Sequence, residues 1–97
     1  MPSYIVLADY TDQGIRNVKD SPKRADAFEA AVKANGGALK DLYLVLGDHD
    51  LVAVVELPND ETAAKLALAT ASLGNVRTTT MRAFNRDEFR KIIASLP

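Results

Sequence analysis

Tyr43-Leu44-Val45-Leu46-Gly47-Asp48-His49-Asp50-Leu51-Val52-Ala53-Val54-Val55-Glu56 is the stretch on which the fold turns. Two apolar runs of strand length, Tyr43 to Leu46 and Leu51 to Val55, flank a Gly-Asp-His-Asp break with the composition of a turn. With its flanks, from about Ala38 to Leu57, the stretch reads as a β-hairpin. An antiparallel strand with one wet face alternates apolar and polar residues, because successive side chains point to opposite faces. These runs are apolar at odd and even positions alike, so both faces of the hairpin are expected to be dry.

Upstream, Tyr4 to Ala8 is a first strand, and Thr11-Asp12-Gln13-Gly14 leaves it as a turn. Ser21-Pro22 opens a helix, serine as N-cap and proline at the first helical position, with Ala25, Phe28 and Val32 on one face. Gly36-Gly37 ends it. Downstream, Pro58-Asn59-Asp60 stops the hairpin and caps an alanine-rich helix from Glu61 to about Leu73, whose small side chains allow close approach to a sheet. Gly74 is its C-cap. Asn75 to Phe84 is the last strand, and Asn85 with Glu88 makes a capping box for a final helix striped by Phe89, Ile92, Ile93 and Leu96.

The order β-α-β-β-α-β plus a C-terminal helix is the ferredoxin-like α+β pattern, read here as one domain over residues 1–97. Two helices cover one face of such a sheet. Apolar residues on the other face must be buried by the C-terminal helix, by another subunit, or by both. The expected state is therefore a homodimer or higher homo-oligomer, with two sheets facing each other as a dimeric α+β barrel.

Composition is neutral about chemistry. The chain is 47% hydrophobic and 26% charged, as in ordinary globular proteins. Its 12 basic and 13 acidic residues, net −1, give no electrostatic reason to expect nucleic acid or an anionic membrane as a partner. There is no cysteine, hence no disulfide or thiolate metal site, and no signal-peptide core or membrane span; the sequence reads as cytoplasmic. No phosphate loop, nucleophile elbow or spaced metal-ligand set is present, so neither a cofactor nor a metal is expected.

Several pieces together resemble the GYD domain family. They are Thr11-Asp12-Gln13-Gly14-Ile15, Ser21-Pro22 with Arg24, Gly47 and Asp50 in the hairpin, Leu73-Gly74-Asn75-Val76-Arg77-Thr78, and Arg82-Ala83-Phe84. The family takes its name from a Gly-Tyr-Asp signature in the hairpin, and His49 stands where the tyrosine is expected. The resemblance implies a relative of the dimeric α+β barrel proteins, which range from amino-acid sensing modules to cofactor-independent oxygenases. Fold alone does not choose among these.

The candidate site residues follow from the turns. His49, the only histidine, lies between two carboxylates and is a candidate acid or base, or simply a solvated turn residue. Asp50 enters a strand that buries both faces, so its carboxylate needs a partner, for which Arg24, Arg77 and Arg82 are candidates. Thr11, Gln13, Asp50 and Arg77 are candidate ligand-binding residues at strand ends. The expected function is small-molecule binding in a pocket between sheet and helices or between subunits. The alternatives are a cofactor-independent isomerase- or oxygenase-like enzyme using His49 or Asp50, and a structural interaction module.

Overall fold

The structure is a computed structural model describing all residues 1–97. Strands β1 (Ser3–Tyr10), β2 (Ala38–Leu44), β3 (Leu51–Glu56) and β4 (Val76–Ala83) form one antiparallel sheet in the order β2-β3-β1-β4. Helices α1 (Asp12–Arg16), α2 (Ser21–Ala34), α3 (Asp60–Ser72) and α4 (Arg86–Ala94) complete the chain. This is the ferredoxin-like arrangement expected from the hairpin and its flanks. No helix is long and apolar enough to cross a membrane.

One face of the sheet carries the core. Tyr4, Ala53 and Val55 point toward α2 and α3 and bury against Val32, Leu57, Ala63 and Leu66, with Val6, Phe28, Leu39 and Leu42 packed around them. Val32 and Val55 are the largest side chains shut off completely from solvent. Gly37 lets the start of β2 run close to β3, since a Cβ there would meet the Glu56 carbonyl oxygen at 2.3 Å.

The opposite face has no cover within the chain. The registers Ile5↔Val54↔Asp41, Leu7↔Val52↔Tyr43 and Ile5↔Met81 place these side chains together, because directly opposed residues share a face. Tyr43 is 55% exposed and Met81 42%. The expectation that both hairpin faces are dry therefore fails for the single chain: α2 and α3 cover one face and nothing covers the other. Nor does α4. It has no buried residue, Phe89, Ile92, Ile93 and Leu96 all stay exposed, and it makes no extensive contact with any other element. Only nine of 97 residues are buried, and the radius of gyration of 14.5 Å exceeds the roughly 13 Å of a compact chain this long.

Three local readings are corrected. The Asp12–Arg16 segment is a helical turn, because Thr11 caps it by accepting the Gly14 N–H. Ser21 is the first residue of α2, and its cap position belongs to Asp20, whose side chain makes no capping bond. Strand β2 stops at Leu44, leaving Val45 and Leu46 in the connection with Leu46 fully exposed. Strand β2 also carries a bulge at Lys40, where the register shifts between Leu39 and Asp41. The Asn59 cap and the Asn85–Glu88 capping box form as the sequence indicates, and Gly74, with φ +82°, ends α3.

Candidate functional site

Three groups of polar side chains stand at the edges of the sheet. The first lies at the end where β1 leaves the ladder. The backbone N–H of Asp50 donates to the Ala8 carbonyl at 3.0 Å, tying the 45–50 connection to β1. The Asp50 carboxylate accepts the Tyr10 N–H at 2.9 Å. Its partner is thus a backbone amide rather than any of the three candidate arginines. Arg24 is spent on Gly14, Asn17 and Ser21, and Arg82 lies at the far end of β4.

Asp9 faces the uncovered side of the sheet, and His49 swings over it with Nδ1 3.1 and 3.3 Å from the two carboxylate oxygens. Both side chains are about two-fifths exposed. The Asp9 carboxylate orients the imidazole through Nδ1 and leaves Nε2 pointing away from that bond. Arg77 is the direct cross-strand partner of Asp9 and shares its face, yet makes no salt bridge. An acceptor, an orienting base and a free guanidinium thus meet at one rim of the uncovered face. They can hold a molecule carrying both charges, or an anionic group between Arg77 and His49.

The second group holds the fold. Thr11 Oγ1 donates to the Gly74 carbonyl at 2.5 Å and accepts from Gly14 N–H at 3.1 Å. Gln13 Nε2 donates to Leu73 O at 3.1 Å and Asn75 Oδ1 at 3.0 Å, while Thr11 N–H donates to Asn75 O at 3.1 Å. Together these bonds staple α1 to the α3–β4 connection. Replacing Thr11 by valine removes one cap and one long-range bond, and is expected to lower unfolding stability by about 1–2 kcal/mol in urea titration.

The third group is not evident from the sequence. A shallow groove of about 280 Å³ runs between α3 and the edge of the sheet, lined by Tyr4, Asp60, Ala63, Ala64, Ala67, Thr80 and Arg82. The Tyr4 hydroxyl donates to Asp60, and the Arg82 guanidinium stacks 4.5 Å from the Phe84 ring and 5.8 Å from Tyr4. Burial, then the hydrogen bond to Asp60 and its negative charge, push the Tyr4 phenol up to about 12 from its ordinary 10.0, against a smaller opposing pull from Arg82. The fold stabilises the neutral phenol, so this contribution is whole below pH 10.0 and disappears as the pH rises through about 12. Melting temperature is expected to fall more steeply in that window for the native chain than for Tyr4→Phe. Deeper between sheet and helices, the cavity beside Phe28, Leu66 and Thr78 offers only about 20 Å³, enough for a water molecule.

The sequence points to His49, Asp50 and Arg77 and leaves Asp9 and Asp12 as carboxylates that could join His49; the fold brings up Asp9, 40 positions away. The cross-strand register that sets Arg77 beside Asp9 is a signal the sequence does contain, through the lengths of β1 and β4. The Tyr4–Asp60 contact has no such signal.

Comparison with known proteins agrees with this architecture. The family model described as GYD domain matches residues 4–93. The protein named glutamine synthetase and cystathionine beta-lyase binding protein, from Thermus thermophilus, is 36% identical over 84 residues, covering 86% of this chain and 88% of its own. Among solved structures, TTHA0845 from Thermus thermophilus superposes with a TM-score of 0.56 at 28% identity, over 88% of this chain and 95% of that one. A feast or famine regulatory protein from M. tuberculosis, complexed with L-methionine, gives a TM-score of 0.64 at 20% identity and shares the fold. The match covers 88% of this chain, which spans about half (51%) of that regulator's length. With the family pattern running from the first strand into the last helix, the chain belongs to the GYD domain family.

Proposed function

We propose that this chain is a homodimeric binding module. Two copies oppose the uncovered faces of their sheets, and a small polar molecule is held at the rim by Asp9, His49 and Arg77. The observation that carries this reading is the uncovered apolar face built by Ile5, Leu7, Tyr43, Val52, Val54 and Met81. Soluble monomers rarely leave such a face wet. Between sheet and helices, the inner cavity holds no more than water and the larger groove beside α3 is shallow and open, which favours an enclosed pocket at the subunit interface. The enzyme alternative needs His49 or Asp50 in a water-excluding cavity. Within one chain, Asp50 is taken by the Tyr10 amide and the His49 side chain is about two-fifths exposed.

A thermal-shift screen of the common amino acids and small carboxylates against the native protein and Arg77→Ala tests the polar rim. At least one compound is expected to raise the melting temperature of the native protein and not of the variant. Equal shifts in both, or none in either, would remove the small-molecule site.

A second reading has its own support. The relative at 36% identity is named for binding two enzymes, and the apolar stripe of α4 is free within the chain. Under that reading the dimer is a protein-binding module. Purified glutamine synthetase and cystathionine β-lyase are the probes: co-sedimentation with either supports it, and independent sedimentation of both counts against it.

A further inference from the structure

Two apolar features remain unaccounted for by a sheet-to-sheet interface, and they lie at opposite ends of the molecule. At one end is the β2–β3 connection, with Leu44 at 73% and Leu46 at 99% exposure. At the other is α4, which leaves the ladder after Ala83, opposite Ser3, and exposes Phe89, Ile92, Ile93 and Leu96. The register fixes this polarity: Leu44 pairs with Leu51 and Leu51 with Ala8, whereas Glu56 and Ala83 both pair with Ser3. The chain is 51 Å long in its largest dimension, against roughly 26 Å for an eight-residue strand, so structure protrudes beyond the sheet.

Helix α4 is anchored at its start. The capping box closes its first turn, the Arg82 guanidinium stacks on Phe84 and bonds the Ala83 carbonyl, and Glu88 lies 3.9 Å from Arg82. A helix anchored at its first turn, with an open apolar stripe, is an arm that needs a receiving surface. Because β4 and the β2–β3 pair also lie at opposite edges of the sheet, a two-fold axis running diagonally across the strands brings the α4 corner of one copy onto the β2–β3 corner of its partner, the isologous arrangement in which each contact occurs twice.

We infer that α4 of each copy docks on the Leu44–Leu46 connection of the other. This rests on the self-association proposed above and adds the orientation of the two chains and a second contact. Charge favours this pairing over like against like. The connection carries Asp48 and Asp50, which would repel their own counterparts in the alternative arrangement with the axis along the other diagonal. The helix offers Lys91, which has no ion-pair partner, beside Ile92. One contact then buries both orphan patches and matches their charges.

The absence of native cysteine makes the test clean. Leu46→Cys and Ile93→Cys alter exposed positions, so both chains are expected to fold. Mixed, allowed to exchange subunits and mildly oxidised, they should form a covalent heterodimer at least roughly ten times faster than either chain cross-links alone. Ile93→Asp should weaken self-association by roughly tenfold or more, with its circular dichroism unchanged. If the native protein sediments as a dimer but the mixture does not cross-link preferentially and Ile93→Asp dimerises normally, the arm contact is wrong and the sheet interface stands. A monomeric native protein would overturn both. Capture of α4 by a different protein, with the dimer unaffected by Ile93→Asp, likewise overturns the arm contact.

Discussion

Gly14→Ala is expected to destabilise the protein more than any other single-methyl change, by about 3 kcal/mol or enough to leave it unfolded. Gly14 is buried within α1, and a Cβ there would sit 1.9 Å from the Asn75 carbonyl oxygen and 2.8 Å from its carbon. Those are backbone atoms, so no flexible side chain can yield. Relief requires moving α1 away from the α3–β4 connection, which breaks the bonds from Thr11 N–H to Asn75 O and from Gln13 to Leu73 and Asn75. Helix propensity alone would favour alanine here, so a neutral or stabilising outcome in urea unfolding would mean that the staple between residues 11–14 and 73–75 is not formed.

Val54→Lys is expected to leave a folded monomer. Val54 lies on a central strand, opposite Ile5 and Asp41 on the uncovered face. In one chain a lysine there can reach solvent along its own stem, so strand content should survive with little loss of stability. In a sheet-to-sheet dimer the same ammonium is drawn out of water, twice over, once from each copy, with the cross-strand Asp41 as its only counter-charge within the chain. That costs about 3 kcal/mol or more, a dissociation constant raised at least roughly 100-fold. Replacing Val55, the neighbour facing α2 and α3, with lysine should instead unfold the chain, because it is fully buried in the core. The contrast between adjacent residues separates loss of assembly from loss of fold.

How far the sequence can be read depends on the range of the interaction that sets each feature. The hairpin, the Asn59 cap and the Asn85–Glu88 box are written in neighbouring residues, and the alternation-free run from Leu51 to Val55 announces a central strand. Helix α1 is hidden because its five residues include a glycine and depend on contacts some 60 positions away. The end of β2 is obscured because Val45 and Leu46 are as apolar as the strand before them. At the candidate site, His49, Asp50 and Arg77 can be suspected one by one, since each is a polar residue at the end of an apolar run. Their partners cannot: whether Asp50 meets an arginine or the Tyr10 amide is decided by the three-dimensional path of the 45–50 connection. The apolar character of the second sheet face is legible, and the structure sharpens it by showing that α4 leaves that face alone.

The central claim, that a second copy covers this face, is tested most directly by sedimentation equilibrium of the native protein over a range of micromolar concentrations. The expected mass is twice the 10.5 kDa of the chain, falling to the single-chain mass for Val54→Lys. A native protein that stays at 10.5 kDa throughout would contradict it.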